Sequence, residues 1–254
     1  LIKTLMPREF EQMENLQIND ENYRKLLQNK RVAIVGPAES AFFSERGDYI
    51  DSFDVVVRVN RGIEVVKGNE SFIGSYTDVL YNSLDFGPNS GGILKDVDDK
   101  IKFICCPYPT EKGTFNGAPK SIFDKFNIRF INTAVYNEMK TKTNSSLTSG
   151  FGAIIEVLQH DIQQLYITGI DFYRSLYSNK YPSQVDKMSK SFDIIERELE
   201  FKNNSNNPHY HHPDRQYAEF KRIVNTDNRV ELDPFLKKII NDSRYDKWDT
   251  IPKN

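Results

Sequence analysis

Along the chain, short and nearly unbroken apolar runs alternate with longer amphipathic stretches. The runs are RVAIVG (Arg31 to Gly36), DVVVRVN (Asp54 to Asn60), TDVLYN (Thr77 to Asn82), KIKFICC (Lys100 to Cys106), IRFIN (Ile128 to Asn132) and QLYITGIDF (Gln164 to Phe172). Apolar side chains at successive rather than alternate positions predict strands buried on both faces, as in a parallel sheet covered by helices. Helical spacing fills the gaps. The charged N-terminal stretch ends in ENYRKLLQNK, and SLTSGFGAIIEVLQHD (Ser146 to Asp161) has a Ser/Thr start and apolar spacing suited to a buried helix. Polar tracts at Thr141 to Ser146 and Asn203 to Asn207 read as loops. Near the end, RVEL predicts a short strand and FLKKIINDSRYDKW a helix. Its Phe235, Leu236, Ile239 and Ile240 read as the cover of a sheet edge or, beside Lys237 and Lys238, as a contact with a membrane surface. The alternation predicts an α/β class: a Rossmann-like, mostly parallel sheet with helices on both faces. Strand order is left open. No repeat or long linker divides the chain, so one domain over residues 1–254 is expected, with a helical extension (1–29), a core (30–225) and a C-terminal strand and helix (226–254).

Composition narrows the classes. At 254 residues with 38% hydrophobic side chains, the chain has enough apolar surface for a packed core, which excludes global disorder. Lys+Arg total 34 against Asp+Glu 36, so no basic field invites nucleic acid. No apolar run approaches the roughly 20 residues of a membrane span. The chain begins at Leu1 rather than Met, as a trimmed chain does, and an upstream signal or anchor stays open. Its two cysteines, Cys105 and Cys106, are adjacent and poorly placed to bridge each other. They read as buried strand residues in a reducing compartment, which gives a cytoplasmic expectation with a peripheral position at a membrane as the second option.

Chemistry is expected beyond the carboxyl ends of the strands, where parallel sheets hold their ligands. There the sequence places Gly36 to Ser40, Asn60-Arg61-Gly62, Asn82-Ser83 and Gly169 to Tyr173. Asn60 and Asn82 each offer a donor and an acceptor to a nucleotide or sugar, although Asn at a strand end also caps turns. The first strand is followed by GPAES rather than GxGxxG, and Walker A is missing, which argues against NAD, FAD and P-loop chemistry. Asp96 and Asp98 form a DxD that precedes a strand instead of following one, so it reads as a solvated acidic loop. Three of the four histidines, His209, His211 and His212, fall between Pro208 and Pro213. Zinc would want cysteines or helical spacing; a general base and a phosphate contact fit better, because imidazole titrates near neutrality. Neither a metal nor a cofactor is expected.

At these residues a family resemblance emerges. VAIVGPAES followed by YIDSFDVVVRVNRG resembles the large sialylmotif of the eukaryotic-type sialyltransferases, glycosyltransferase family 29. SLTSGFGAIIEVLQHDIQQLYITGIDFY resembles the small sialylmotif and, more closely, its counterpart in the bacterial family 42 enzymes. HYHHPDRQYAEF resembles the late His-rich motifs of both, and the three blocks fall in family order between Arg31 and Phe220. The resemblance implies a GT-A-like sialyltransferase fold, a core that binds a nucleotide sugar, and a CMP-sugar donor. By it, Gly36 and Ser40 lie in the donor turn and Asn60 contacts the nucleotide ribose or phosphate. Asn82 faces donor sugar and nucleotide, and Ser149 and Gly150 approach the cytidine monophosphate, as do Gly169 and Asp171. Tyr173, with Tyr177 or Tyr181, hydrogen-bonds the departing phosphate; His212 is the general base and His209 assists the phosphate. Some positions depart from the family: Pro37-Ala38 replace its Asn, Ser146 stands where the bacterial enzymes carry arginine, and Arg31 stands where the Golgi enzymes place a bridging cysteine. Glu219 lies farther from the histidine than the family's glutamate does.

The implied reaction is inverting, metal-independent transfer of sialic acid from CMP-sialic acid to a hydroxyl of a glycan or glycolipid. Three alternatives stay open: a CMP-Kdo or other CMP-ulosonic acid donor, a metal-dependent transferase using Asp96 and Asp98, and a non-catalytic nucleotide- or glycan-binding module.

Overall fold

The computed structural model describes residues 19–84, 100–109, 120–175 and 203–247. Its seven strands are β1 (Arg31–Val35), β2 (Val55–Val59), β3 (Val79–Tyr81), β4 (Phe103–Cys106), β5 (Ile128–Phe130), β6 (Gln164–Thr168) and β7 (Val230–Leu232). Every strand predicted from the apolar runs is present, and all pair in parallel in the order β5-β4-β3-β2-β1-β6-β7. Each is shorter than its run; in β1, β2, β3, β5 and β6 the last residues of the run leave the sheet at its C-terminal edge, whereas β4 and β7 lose residues only at the start. The order reverses direction at β1: later strands add outward through β2 on one side and through β6 on the other. The crevice of such a sheet opens between the carboxyl ends of β1 and β6.

Both faces of the sheet are covered, which explains the unbroken apolar runs. Val32, Ile34, Val55, Val57, Val79, Tyr81, Phe103 and Cys105 point into the larger core, while Ala33, Val35 and Val56 point into a second. Leu80, Ile104 and Cys106 point into a third on that second side. Side chains alternate with period two, yet both sets are buried. Helix α1 (residues 19–27) enters the larger core through Tyr23 and Leu27. Small helices α2 (Gly47–Asp51) and α3 (Glu70–Ile73) cover the second core, and α4 (Lys120–Lys125) the third.

Helices α5 (Thr133–Thr143), α6 (Ser149–Leu158), α7 (Pro213–Thr226) and α8 (Pro234–Ile240) pack on the side of α1. Helix α6 is buried from Ser149 through Val157, as its all-round apolar sequence requires, and Thr148 caps it by accepting from the Phe151 N–H at 3.3 Å. The tract read as a loop from Thr141 begins later: Thr141 to Thr143 form the last turn of α5. There Thr143 is buried and donates to the Met139 carbonyl, and the chain turns only at Asn144, which is left-handed. In α8, Leu236, Ile239 and Ile240 are buried and only Phe235 is partly exposed, so the helix covers the edge beyond β7. No described helix is long and apolar enough to cross a membrane.

One polar cluster lies inside the larger core. Arg129 Nη1 stands 2.6 Å from Glu156 Oε1, Tyr81 donates to Glu156 Oε2 at 2.7 Å, and the Tyr23 and Tyr81 hydroxyls share a hydrogen bond. The Arg129 guanidinium also covers the Tyr23 ring at 4.1 Å. Burial pushes the Glu156 carboxyl up, against the pull of Arg129, and pushes the Cys105 thiol up to about 12.

Candidate active site

The floor of the β1/β6 crevice is made of two glycines packed back to back. Gly36 donates to Thr168 O at 2.8 Å, and Ala38 donates to Gly169 O at 3.1 Å. A Cβ on Gly36 would stand 2.1 Å from Gly169 O, and one on Gly169, already at φ +66, would stand 2.5 Å from Gly36 O. Glycine at both positions is therefore a demand of close approach, and what they offer a ligand is backbone. Beyond them Ser40 donates to Asp171 Oδ2 at 2.7 Å, and Ser175 donates to the same oxygen. Both Ser40 and Asp171 are buried, so they latch the β1 and β6 loops together.

Along the same edge the backbone is strained. Asn60, Leu84, Phe172 and Tyr173 follow β2, β3 and β6 with φ of 48°, 51°, 54° and 64°. Non-glycine residues rarely enter this region, at a cost of order 1–3 kcal/mol each, and such outliers gather at ligand-binding sites. Asn60 Oδ1 accepts from Ser83 N at 3.2 Å, joining the ends of β2 and β3. Asn82 Oδ1 accepts from Leu84 N at 2.9 Å, while its Nδ2 is buried with no hydrogen-bond partner among the described residues. An unpaired buried donor costs roughly 1–3 kcal/mol.

Ser149 and Gly150 occupy the first turn of α6, where free backbone N–H groups and the helix dipole favour an anion. Glycine at 150 lets the loop after β6 approach, since a Cβ there would meet Ile170 Cγ2 at 3.1 Å. Tyr108, two residues past β4, lies beside Ser149, and burial pushes its phenol up, with Tyr173 close enough to add to the shift. Sequence reasoning missed Tyr108. The available signal was its position, the second residue after a strand end.

His212 is the N-cap residue of α7, but its side chain makes no capping bond. Its N–H donates to Ser145 Oγ at 2.8 Å, and its ring Nε2 lies 2.8 Å from the Asn207 carbonyl. A carbonyl only accepts, so Nε2 carries the proton and Nδ1 holds the free lone pair. The residue is 5% exposed. Burial lowers its pKa below the ordinary histidine value, the Asn207 carbonyl opposes this, and Arg215 adds to it, so the ring is neutral at pH 7. A neutral, oriented imidazole at the rim of an anion-favouring crevice has the properties of a general base. His209 differs: its side chain is exposed, and its backbone N–H is taken by Asn207 Oδ1 at 3.0 Å. The structure thus gathers Gly36, Ser40, Asn60, Asn82, Ser149, Gly150, Gly169, Asp171, Tyr173 and His212 at one edge and leaves His209 on the outer side of its turn.

Tyr177, Tyr181, Asp96 and Asp98 lie outside the described residues. No protein-family model matches the chain, and no curated protein matches it in sequence. Solved structures do. A mammalian sialyltransferase in complex with Gal-beta-1-3GalNAc-ortho-nitrophenol aligns with a TM-score of 0.52 at 14% identity, over 83% of this chain and 71% of that one. A second mammalian sialyltransferase structure aligns with a TM-score of 0.51 at 13% identity, over 86% and 78%. With its seven parallel strands and covered faces, the chain has the GT-A-like, Rossmann-type fold of a sialyltransferase.

Proposed function

We propose that this chain, as one catalytic domain, transfers a sialic acid from CMP-sialic acid to a hydroxyl of a glycan or glycolipid, with inversion and without a metal. The observation that carries the reading is His212: a buried, neutral imidazole with Nε2 held by a carbonyl and Nδ1 open, beside the helix turn that matches the small sialylmotif. The sialyltransferase-like fold and the order of the three motifs support it.

In the proposed step Nδ1 of His212 takes the proton of the acceptor hydroxyl as its oxygen forms a bond to the anomeric carbon. The bond from that carbon to the phosphate oxygen breaks on the opposite face, and CMP leaves with the electron pair. The sugar passes through an oxocarbenium-like state that its own carboxylate eases. Charge growing on the phosphate is met by the N–H groups of the first turn of α6, by Asn82 Nδ2 and by the hydroxyls of Tyr173 and Tyr108. A monophosphate carries less charge to neutralise than a diphosphate, so these donors suffice without a cation. Exposed His209 is left for a phosphate or acceptor contact made by its ring as the turn closes on substrate. Cys105 and Cys106, both buried thiols, fit a reducing, cytoplasmic setting. For a glycolipid acceptor, contact with the membrane falls to Phe235, Lys237 and Lys238, because the other apolar positions of α8 face inward.

A donor screen tests the reading. CMP and CMP-sialic acid, added alone, raise the melting temperature, and CMP-sialic acid is slowly hydrolysed with or without EDTA. A stronger response to CMP-Kdo moves the donor to another ulosonic acid. Binding of uridine diphosphate sugars that requires Mn²⁺ overturns the reading in favour of a DxD enzyme. CMP binding with no hydrolysis or transfer overturns it in favour of a binding module.

A further inference from the structure

Gln216 lies one helical turn beyond His212 on α7, and its side chain is completely buried. All four hydrogen-bonding positions of its amide are used. Oε1 accepts from Thr148 N at 3.0 Å and from Thr148 Oγ1 at 3.1 Å. Nε2 donates to Ser145 Oγ and to the Ser146 carbonyl, each at 2.9 Å. Its partners belong to the segment about 70 residues earlier that leads into α6, so the amide joins two helices distant in sequence.

Each partner has a second task at the site. Ser145 Oγ, which accepts from Gln216, also accepts the backbone N–H of His212 at 2.8 Å. The Ser146 carbonyl also takes the Nδ1 proton of His211 at 2.9 Å. Thr148 caps α6, and donating its hydroxyl proton to Gln216 turns an oxygen lone pair toward the Phe151 N–H. The first turn of α6 and the N-terminus of α7 are thereby held in one frame. A second brace adds to it: Arg174, in the loop after β6, pairs with Asp214 of α7 at 2.8 Å and covers the Tyr217 ring. That ion pair is half open to solvent on the Asp214 side, whereas the Gln216 amide is sealed.

We infer that Gln216 is a positioning residue that sets the distance and angle between the His212 imidazole and the anion-binding turn at Ser149 and Gly150. The inference rests on the reading of His212 as the base. Gln216 touches neither donor nor acceptor; it acts through Ser145 on one side and Thr148 on the other. Because an error of about 1 Å in the approach of base and nucleophile costs on the order of a hundredfold in rate, an amide that fixes this distance controls turnover more than affinity.

The test is Gln216→Glu, which keeps shape and volume but faces Ser145 Oγ and the Ser146 carbonyl with an acceptor. Full-length protein is assayed for CMP-sialic acid hydrolysis, CMP affinity and the pH profile of kcat. The expected result is a fall in kcat of about thirtyfold, a CMP Kd changed less than about threefold, and an acid limb of the profile moved by about half a pH unit or more. Thr148→Val, which removes one of the four bonds, serves if the first variant does not fold; its expected loss in kcat is about fivefold, and Thr148→Ser restores it. A folded Gln216→Glu protein with wild-type kcat and profile overturns the inference, and so does a CMP Kd that rises in step with the fall in kcat. His212→Ala measured alongside separates the two claims. Full hydrolysis by that variant overturns the base reading itself, whereas its loss together with an unaffected Gln216→Glu overturns only the role of Gln216.

Discussion

Two buried polar clusters meet at the end of β3, and they are built on opposite terms. Tyr81 belongs to the inner one, where Arg129 and Glu156 pair at 2.6 Å and Tyr23 and Tyr81 complete a hydrogen-bonded chain. Asn82, the next residue, belongs to the outer one and keeps a buried Nδ2 without a partner among the described residues. Helix α6 joins both clusters as well, with Glu156 toward its end and Ser149 at its start. In the inner cluster each charge is spent on a neighbour, and the result is a fixed anchor for α1, β5 and α6. Among the described residues the outer cluster leaves Asn82 Nδ2 unpaired, and it holds its backbone in left-handed turns. A fold can carry such an open valence because the strands beneath it are sealed. The comparison separates polar groups paired within the core from polar groups at the strand ends on which the proposed function draws.

The largest expected effect tests the inner cluster. Glu156→Ala takes from the buried Arg129 guanidinium its 2.6 Å partner, leaving it only the largely exposed Asp20 at 3.0 Å, and lowers unfolding free energy by about 3 kcal/mol in urea titrations, with CMP affinity of the folded fraction unchanged. A wild-type transition midpoint would mean that the cluster is not an anchor. His212→Ala inverts this pattern. Donor turnover falls by about a hundredfold to ten-thousandfold, while stability moves by no more than about 1 kcal/mol, since a single net hydrogen bond to Asn207 is lost.

Smaller effects sharpen the contrast. Asn82→Ala removes the open donor and weakens CMP binding by about tenfold, or roughly 1.4 kcal/mol by calorimetry. Its stability cost stays small, because the lost bond to Leu84 N is offset by relief of the unpaired Nδ2. His160 gives an effect confined to acid pH; it lies at the rear of the inner cluster, edge-on to Tyr23 at 5.2 Å. Burial holds its pKa at about 4, below the ordinary 6.5, with Arg129 adding to the shift. As pH falls, the unfolded chain takes the proton first, so this contribution is complete above pH 6.5 and is lost down through pH 4. His160→Phe therefore flattens the acid limb of the stability curve by about 2 kcal/mol. An unchanged acid limb would show that His160 is not its source.

Much of this division was legible in the residues. Asn60, Asn82 and the GIDFY segment were readable as residues of the C-terminal edge because they end apolar runs, and strand ends are where a parallel sheet presents its ligand groups. His212 was singled out from chemistry and motif, and the structure puts it at the N-terminus of α7. The inner cluster was not legible at all: Tyr23, Tyr81, Arg129 and Glu156 are scattered over more than a hundred residues, and nothing local marks them as partners. Glu156 reads as one charge in an apolar helix, and Tyr108 as one tyrosine after a proline. The exposed placement of His209 was equally hidden, since a turn decides which of three neighbouring histidines faces inward.

By itself, then, the sequence determined seven strands, their burial on both faces and the edge at which chemistry gathers. Those features follow from the spacing of apolar side chains and the residues that stop them, which act over a few positions. Only the tertiary structure decided the strand order, the pairing of Gly36 with Gly169, the joining of α6 to α7 by Gln216 and the protonated nitrogen of His212. Each of these depends on a contact between segments tens of residues apart or on the direction of a single carbonyl, and no local pattern encodes that.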